Sequence, residues 1–352
     1  ISYFRKVNQY LSAKDDMADK ILSTHEKYMR RCLELAELGN GFVAPNPMVG
    51  AVLVHGDRII GEGYHQVCGQ AHAEVNCIAS VAEEDRALIA QSTLYVSLEP
   101  CAHTGKTPPC ADLIIRHNIP KVVISVTDPF DAVNGKGIAR LRENSVEVIT
   151  GVLEQEGRQL LKHFLYFHQH NLPFVTLKFA QSRDGFIGQP KKRIAISGPL
   201  TQRYVHQLRA RHQGILVGSN TVLTDNPALT VRQWHGQQPV RIVVGKQEKI
   251  PADYAVFDNS APTVFISGNT MMEVLKNIAE QGIISVLIEG GAHILQQCID
   301  AQLWQEACII TGPDDLQEGI SAPAIQGIVT DTFSLANDRI QLLKNPHAVF
   351  TA

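Results

Sequence analysis

His72-Ala73-Glu74 opens one helical pattern. Downstream, Thr93-Leu94-Tyr95-Val96-Ser97-Leu98 reads as a strand, Pro100-Cys101 follows it, and after the loop AHTGKTPP Cys110 starts another helix, near 110–117. Imidazole and thiolate are the ligands that zinc prefers. Helix starts are favourable places for a thiolate anion, because the backbone dipole ends positively there. Two residues span about 200° of a helix, so His72 and Glu74 converge only if the helix begins at that point. The site is therefore expected at two helix mouths, with His72, Cys101 and Cys110 as ligands. Three ligands leave a tetrahedral position for water, the catalytic arrangement, and zinc lowers the pKa of water towards about 7. Glu74, not a ligand, can carry a proton to a leaving amine. H-x-E with P-C is a general signature of zinc deaminases. Two alternatives stay open: ordinary buried thiols beside a helix-start carboxylate, or His103 as a fourth ligand closing a structural zinc module.

Outward from that stretch, the chain reads as two α/β blocks. Before it lie a helix over 26–38 (Met29, Cys32, Leu33 and Ala36 at helical spacing, stopped by Gly39) and a hairpin of MVGAVLV and RIIGEGY around His55-Gly56-Asp57. Val75, Ile78, Ala79 and Ala82 mark the helix opened by His72. After it come KVVISV, a helix near 137–144, VEVIT and a bridging helix over about 154–170, which Asn171-Leu172-Pro173 breaks. A hairpin followed by alternating helix and strand implies a sheet covered on both faces. The second block offers FVTLKFAQ, IAIS, a helix from Pro199 to Arg211, GILVG, VRIVVG, TVFIS, a helix near 270–281, SVLIEGG, a helix near 292–303 and EACIIT. Alternation again favours an α/β sheet.

Length and composition agree with two domains. The chain has 352 residues, 44% hydrophobic and 19% charged, enough apolar content for packed cores. Lys and Arg total 32 against 35 Asp and Glu, a net charge of -3. A general nucleic-acid or acidic-membrane binder needs surplus positive charge, so neither partner is expected. No apolar run reaches the roughly 18–20 residues of a membrane span, and the first residues carry no secretory pattern; a cytoplasmic protein is expected. Seven cysteines are an odd count, which disfavours a disulfide framework. Cys32, Cys68, Cys77, Cys298 and Cys308 read as packing residues.

Pro45-Asn46-Pro47-Met48-Val49-Gly50, Gly61-Glu62-Gly63-Tyr64-His65, His72-Ala73-Glu74 and PCAHTGKTPPC together resemble the bifunctional deaminase/reductase family of riboflavin biosynthesis. The likeness runs from about residue 25 to the end, and GSNTVLTDNPALTVR (Gly218 to Arg232) resembles the reductase half. It implies a cytidine-deaminase-like three-layer α/β/α domain followed by a dihydrofolate-reductase-like α/β domain. The corresponding boundaries are 1–24 as an unassigned extension, 25–152 deaminase, 153–171 linker helix and 172–352 reductase. The implied substrate is a diaminopyrimidinone with a ribosylamino 5′-phosphate, deaminated and then reduced at the ribose.

The resemblance also implies residue roles. His72, Cys101 and Cys110 would hold Zn2+ and Glu74 would move protons. Asn46, His65 and Lys106 would contact the deaminase substrate. Arg193, Arg209, Leu229, Arg232 and Glu289 would contact the reductase substrate, with Lys178 and Asp184 near the ribose. Ala180, Ala195, Thr221, Asp225, Gly291, Ala292, His293, Ile294 and Leu295 would contact NADPH, consistent with Glu289-Gly290-Gly291 opening a helix where backbone N–H groups can receive phosphate. A homodimer is implied as well. The chain departs from the family pattern at Arg183, Ala195, Gly245, Gln305-Glu306 and GPDDLQEG, all in the second half. The competing reading is a nucleic-acid or nucleotide zinc deaminase with an accessory, inactive reductase-like domain.

Overall fold

The computed structural model describes residues 24–102, 108–129, 134–190 and 194–348. His103, Lys106 and Arg193 lie outside the described residues, as does the expected N-terminal extension up to residue 23.

The first block contains α1 (Thr24–Glu37), β1 (Gly50–His55), β2 (Arg58–Tyr64), α2 (Ala73–Ala79), β3 (Thr93–Leu98), α3 (Cys110–Arg116), β4 (Lys121–Val126), α4 (Lys136–Glu143) and β5 (Glu147–Thr150). Its sheet has the order β2-β1-β3-β4-β5. β1 is antiparallel to β2 and β3, whereas β3, β4 and β5 run parallel. Successive side chains of a strand point to opposite faces. On β1, Ala51 and Leu53 therefore pack with Ala73, Cys77, Ala111, Ile114, Ile138 and Leu141 of α2, α3 and α4. Val52 and Val54 pack instead with Tyr28, Met29, Cys32 and Leu35 of α1. Both faces are covered, which gives the expected three layers and explains why the strands read as continuous apolar runs. Close approach of α2 to β2 requires glycine: a Cβ on Gly63 would lie 2.3 Å from the Cys77 nitrogen.

The bridging helix α5 (Glu154–His170) packs Leu161, Phe164 and Leu165 against Leu98 and Val126 of the first sheet and Ile284 of the second block. Lys162 also holds both oxygens of Glu306 at 2.6 Å. The second block continues with β6 (Phe174–Gln181), β7 (Phe186–Gly188), α6 (Pro199–Ala210), β8 (Gly214–Gly218), α7 (Ser219–Asp225), β9 (Val240–Val244), β10 (Thr263–Ile266), α8 (Met271–Glu280), β11 (Ser285–Gly290), α9 (Ala292–Asp300), β12 (Glu306–Thr311), β13 (Ile320–Ser321), β14 (Ile328–Leu335) and β15 (Asp338–Lys344). The order β10-β9-β8-β11-β6-β12-β15-β14 is parallel as far as β12, and the last two strands are antiparallel. α8 and α9 cover one face and α6 the other.

Several expectations change. IAIS is not a strand: residues 194–197 are irregular, and the next amide, that of Gly198, donates to the side-chain carboxylate of Asp338 at the start of β15 and not to strand backbone. α2 stops at Ala79, short of Ala82, because the Ser80 hydroxyl donates to the Cys77 carbonyl and accepts from the Glu62 amide. α9 stops at Asp300, short of 303; Gln302 has φ 56 and the Leu303 amide turns back to the Cys298 carbonyl. Cys68 is exposed, not a packing residue, while Cys32, Cys77, Cys298 and Cys308 are buried. Among the described residues, no helix is long and apolar enough to cross a membrane.

Candidate active sites

The first site forms where α2 and α3 begin beside the end of β3. His72 is the N-cap of α2, with extended φ/ψ of -72 and 166, and Cys110 is the first residue of α3. The ligand atoms of His72, Cys101 and Cys110 all lie within 4.8 Å of one another. His72 Nδ1 is 3.3 Å from Cys110 Sγ and 3.7 Å from Cys101 Sγ. A tetrahedral zinc with ordinary Zn–S and Zn–N bonds holds its N and S ligands about 3.6 Å apart, so the donor set fits that ion. The Cys110 amide donates to Cys101 Sγ at 3.3 Å and the Ala111 amide to the Cys101 carbonyl at 3.2 Å. The second ligand is thus tied to the mouth of α3.

The electrostatics single out Cys101. A hydrogen bond from Cys110, and then one from His72, pull the Cys101 thiol well below its ordinary value, while Cys110 is pushed up in response. Glu74 is buried, and burial, followed by the Cys101 charge, raises its carboxyl. A buried acid beside a candidate metal-ligating set is placed for proton transfer.

His65 and Asn46 flank this set. His65 Nδ1 lies 3.0 Å from the Ala71 carbonyl and its Nε2 lies 3.1 Å from Asn46 Nδ2. The His65 and His72 rings meet edge to face, centroids 5.7 Å apart. Burial lowers the His65 pKa, which keeps the ring neutral.

The second constellation gathers around Glu289, near the C-terminal end of β11, the side on which parallel α/β sheets bind ligands. Arg209, on α6, donates from Nε and Nη2 to the two carboxylate oxygens of Glu289 at 2.6 and 2.8 Å. Its Nη1 reaches the Thr230 carbonyl at 3.1 Å, and Arg232 Nη1 donates to Thr230 Oγ1 at 2.6 Å. Lys178 Nζ stands 3.9 Å from Glu289 Oε2. Burial works to raise the Glu289 carboxyl, but the charges of Arg209 and Lys178 prevail and hold it at about 2. Arg209, Arg232, Lys178 and Glu289 are therefore one connected group. Leu229, beside it, is buried with φ 52.

Thr221, on α7, meets the turn Gly290-Gly291: a Cβ on Gly291 would lie 3.3 Å from Thr221 Oγ1, and Gly291 has φ 79. Thr221 Oγ1 therefore lies close to the backbone at the mouth of α9, and helix N-termini are places where backbone N–H groups can receive an anion. The Leu295 amide is already bonded to the Gly291 carbonyl and its side chain is in the core, as is that of Ile294. The amides of Ala292, His293 and Ile294 precede that first helical bond. Ala180 is on β6 and Asp225 ends α7; Ala195 is exposed in irregular chain. Asp184 is engaged in a loop, accepting from Ser182 Oγ and from the Leu316 and Gln317 amides.

Sequence reading missed Thr230, which joins the two arginines, and Glu99, whose carboxylate accepts four backbone N–H groups. The signal for Glu99 was an acidic residue placed directly before Pro100-Cys101. Two departures from the family pattern prove complementary: Arg183 forms a two-point ion pair with Asp315 of GPDDLQEG.

Comparison with known proteins gives two regional matches. Residues 22–126 match the cytidine and deoxycytidylate deaminase zinc-binding region, and residues 173–316 match the RibD C-terminal domain. The riboflavin biosynthesis protein RibD of Bacillus amyloliquefaciens is 38% identical over 358 residues, covering 93% of this chain and 92% of that protein. The Chlamydia pneumoniae RibD is 36% identical over 318 residues, 81% of this chain and 84% of its own length. A crystal structure of a diaminohydroxyphosphoribosylaminopyrimidine deaminase/5-amino-6-(5-phosphoribosylamino)uracil reductase from Thermotoga maritima superposes with a TM-score of 0.85 at 32% identity, covering 92% of this chain and 99% of that one.

Proposed function

The chain belongs to the RibD family of bifunctional riboflavin-biosynthesis deaminase/reductases, and from that premise we propose how its own residues divide the two reactions. Residues 25–152 deaminate the diaminopyrimidinone ribosylamino 5′-phosphate, 153–171 link, and 172–352 reduce the ribosyl chain of the product to ribityl.

In the deamination, His72, Cys101 and Cys110 hold zinc, which supplies a Lewis acid that makes water reactive near neutral pH. Glu74 accepts a proton at its carboxylate from the attacking water and returns it to the amino group, which leaves as ammonia. Asn46, oriented by His65, reads the pyrimidine edge, and Lys106 pairs with the phosphate. The observation that carries this reading is the convergence of three ligand atoms within 4.8 Å at two helix mouths, with Glu74 buried two residues from His72.

In the reduction, NADPH supplies hydride. Thr221, Asp225, Gly291 and the first amides of α9 would hold the dinucleotide, with Ala180 and Ala195 also contacting it. Arg232 and the remaining N–H groups of Arg209 receive the substrate phosphate, as guanidinium forks do, and Arg193 contacts the substrate elsewhere. Lys178 and Glu289 face the ribose. Ile328 and Val329, exposed on the outermost strand β14, support association into a homodimer.

The test supplies the diaminopyrimidinone phosphate and follows ammonia release and NADPH oxidation separately. Both are expected, in that order. Ammonia release without NADPH oxidation would leave an accessory, inactive second domain. Glu74→Ala should retain zinc and lose deamination; continued ammonia release by that variant would remove Glu74 from its role.

A further inference from the structure

Glu99 is nearly inaccessible, 4% exposed, and no chemistry described above uses it. Its carboxylate collects backbone donors from across a long loop. Oε2 accepts from the Asp128 amide at 3.3 Å and the Gly135 amide at 3.0 Å; Oε1 accepts from Gly137 at 2.9 Å and Ile138 at 3.2 Å. Three of these donors belong to the N-terminus of α4, where the N-cap residue, Gly135, provides no side-chain cap. Glu99 is therefore a cap supplied from a different strand, and its negative charge lies at the positive end of the helix.

The chain leaving Glu99 runs directly through Pro100 to Cys101. The first turn of α4 presses on that segment: a Cβ on Gly137 would come within 2.0 Å of the Pro100 carbonyl oxygen. On the other side, the Cys110 amide holds Cys101 Sγ and the Ala111 amide holds the Cys101 carbonyl. Cys101 is thus clamped between two helix N-termini, α3 acting on it directly and α4 acting through Glu99 and Pro100.

We propose that Glu99 is a positioning residue of the metal centre, fixing the arm that carries Cys101 by docking α4 beneath it. The proposal rests on the reading that His72, Cys101 and Cys110 bind a metal. It requires a carboxylate and not merely a side chain of that size. A glutamine offers one oxygen and would turn an NH2 group towards two of the four N–H donors, so one pair of bonds becomes a donor–donor contact. The misfit would be relieved by moving Pro100-Cys101, since strand β3 on its other side is anchored in the sheet.

Cobalt(II) titration of the full chain tests this, because the thiolate-to-cobalt absorption reports how the sulfurs meet the metal. In Glu99→Gln the metal-saturated protein should show a shifted or weakened thiolate band, and metal affinity should fall about 10–100-fold, as for other residues that orient ligands. The turnover number for deamination should drop with little change in KM, and NADPH oxidation with pre-deaminated substrate should be unaffected. A role limited to stability would lower the unfolding midpoint and leave the spectrum of the bound metal as in the parent. Should Glu99→Gln not fold, Gly137→Ala pushes on the Pro100 carbonyl from α4 itself and should give the same spectral change. A parental spectrum and affinity in the folded variant overturn the proposal. Failure of the parent protein to bind cobalt overturns the metal reading itself, and the proposal with it.

Discussion

Asn46 donates from Nδ2 to His65 Nε2 across 3.1 Å, and a third group fixes the direction of that bond. The Ala71 carbonyl, 3.0 Å from His65 Nδ1, can only accept, so Nδ1 carries the proton. The neutral ring then has its lone pair on Nε2, and the Asn46 atom facing it must be the amide nitrogen. Asn46 Oδ1 is left as an acceptor for an N–H of the pyrimidine edge. In His65→Phe the amide loses this reference. Deamination kcat/KM should fall about tenfold, the scale of one hydrogen bond, with NADPH oxidation unchanged; steady-state ammonia assays decide it.

Metal removal should separate the two activities. Dialysis against a strong chelator is expected to abolish ammonia release, with recovery on adding zinc. NADPH oxidation with deaminated substrate should persist, because the connected group around Glu289 contains no member of the His72, Cys101 and Cys110 set. Parallel loss of both activities would contradict the separation.

Arg209→Ala should be costly to stability, not only to substrate binding. The Glu289 side chain is 6% exposed and depends on Arg209 at both oxygens. Removing one partner of a buried pair costs about 3–5 kcal/mol, and here Glu289 would keep only the more distant Lys178 ammonium, 3.9 Å away. Chemical denaturation of the variant should show a loss of that order. An unchanged midpoint would mean that Arg209 is held for the phosphate alone.

Acid should weaken the fold through histidines buried in neutral form. Burial, reinforced by neighbouring cations and by His212, takes His163 well below its ordinary value near 6.5. Burial likewise lowers His206 and His212 to about 4. Depressed folded-state values favour the neutral ring, so this stability is complete above pH 6.5 and is lost as pH falls towards about 4. Urea midpoints measured across that window should decline, and His212→Gln should flatten the decline. A slope identical to the parent would exclude His212 as a contributor.

Much of the first sheet was legible because each strand and helix carried its own pattern. GAVLVH and TLYVSL are bounded apolar runs, and His72 and Cys110 mark helix starts by their neighbours. The late hairpin β14–β15 and the short α7 were not legible. β14 has exposed residues at several positions, including Ile328 and Val329, so its apolar content does not mark a buried face. IAIS has strand composition, but among the described residues no strand pairs with it. Glu99 and Thr230 escaped for a related reason: their partners, Asp128, Gly135, Gly137 and Ile138 for the one and Arg209 with Arg232 for the other, are set by how the chain returns to the sheets.

By itself the sequence determined the donor types, the helix starts that present them and the alternation that builds two covered sheets, because these depend on residues near one another in the chain. Tertiary structure decided the distances between His72, Cys101 and Cys110, the direction of the Asn46–His65 bond, and the pairing of Arg209 with Glu289 eighty residues away. These belong to segments far apart in sequence, and only packing brings their polar atoms into the low-dielectric surroundings where a hydrogen bond or charge becomes decisive.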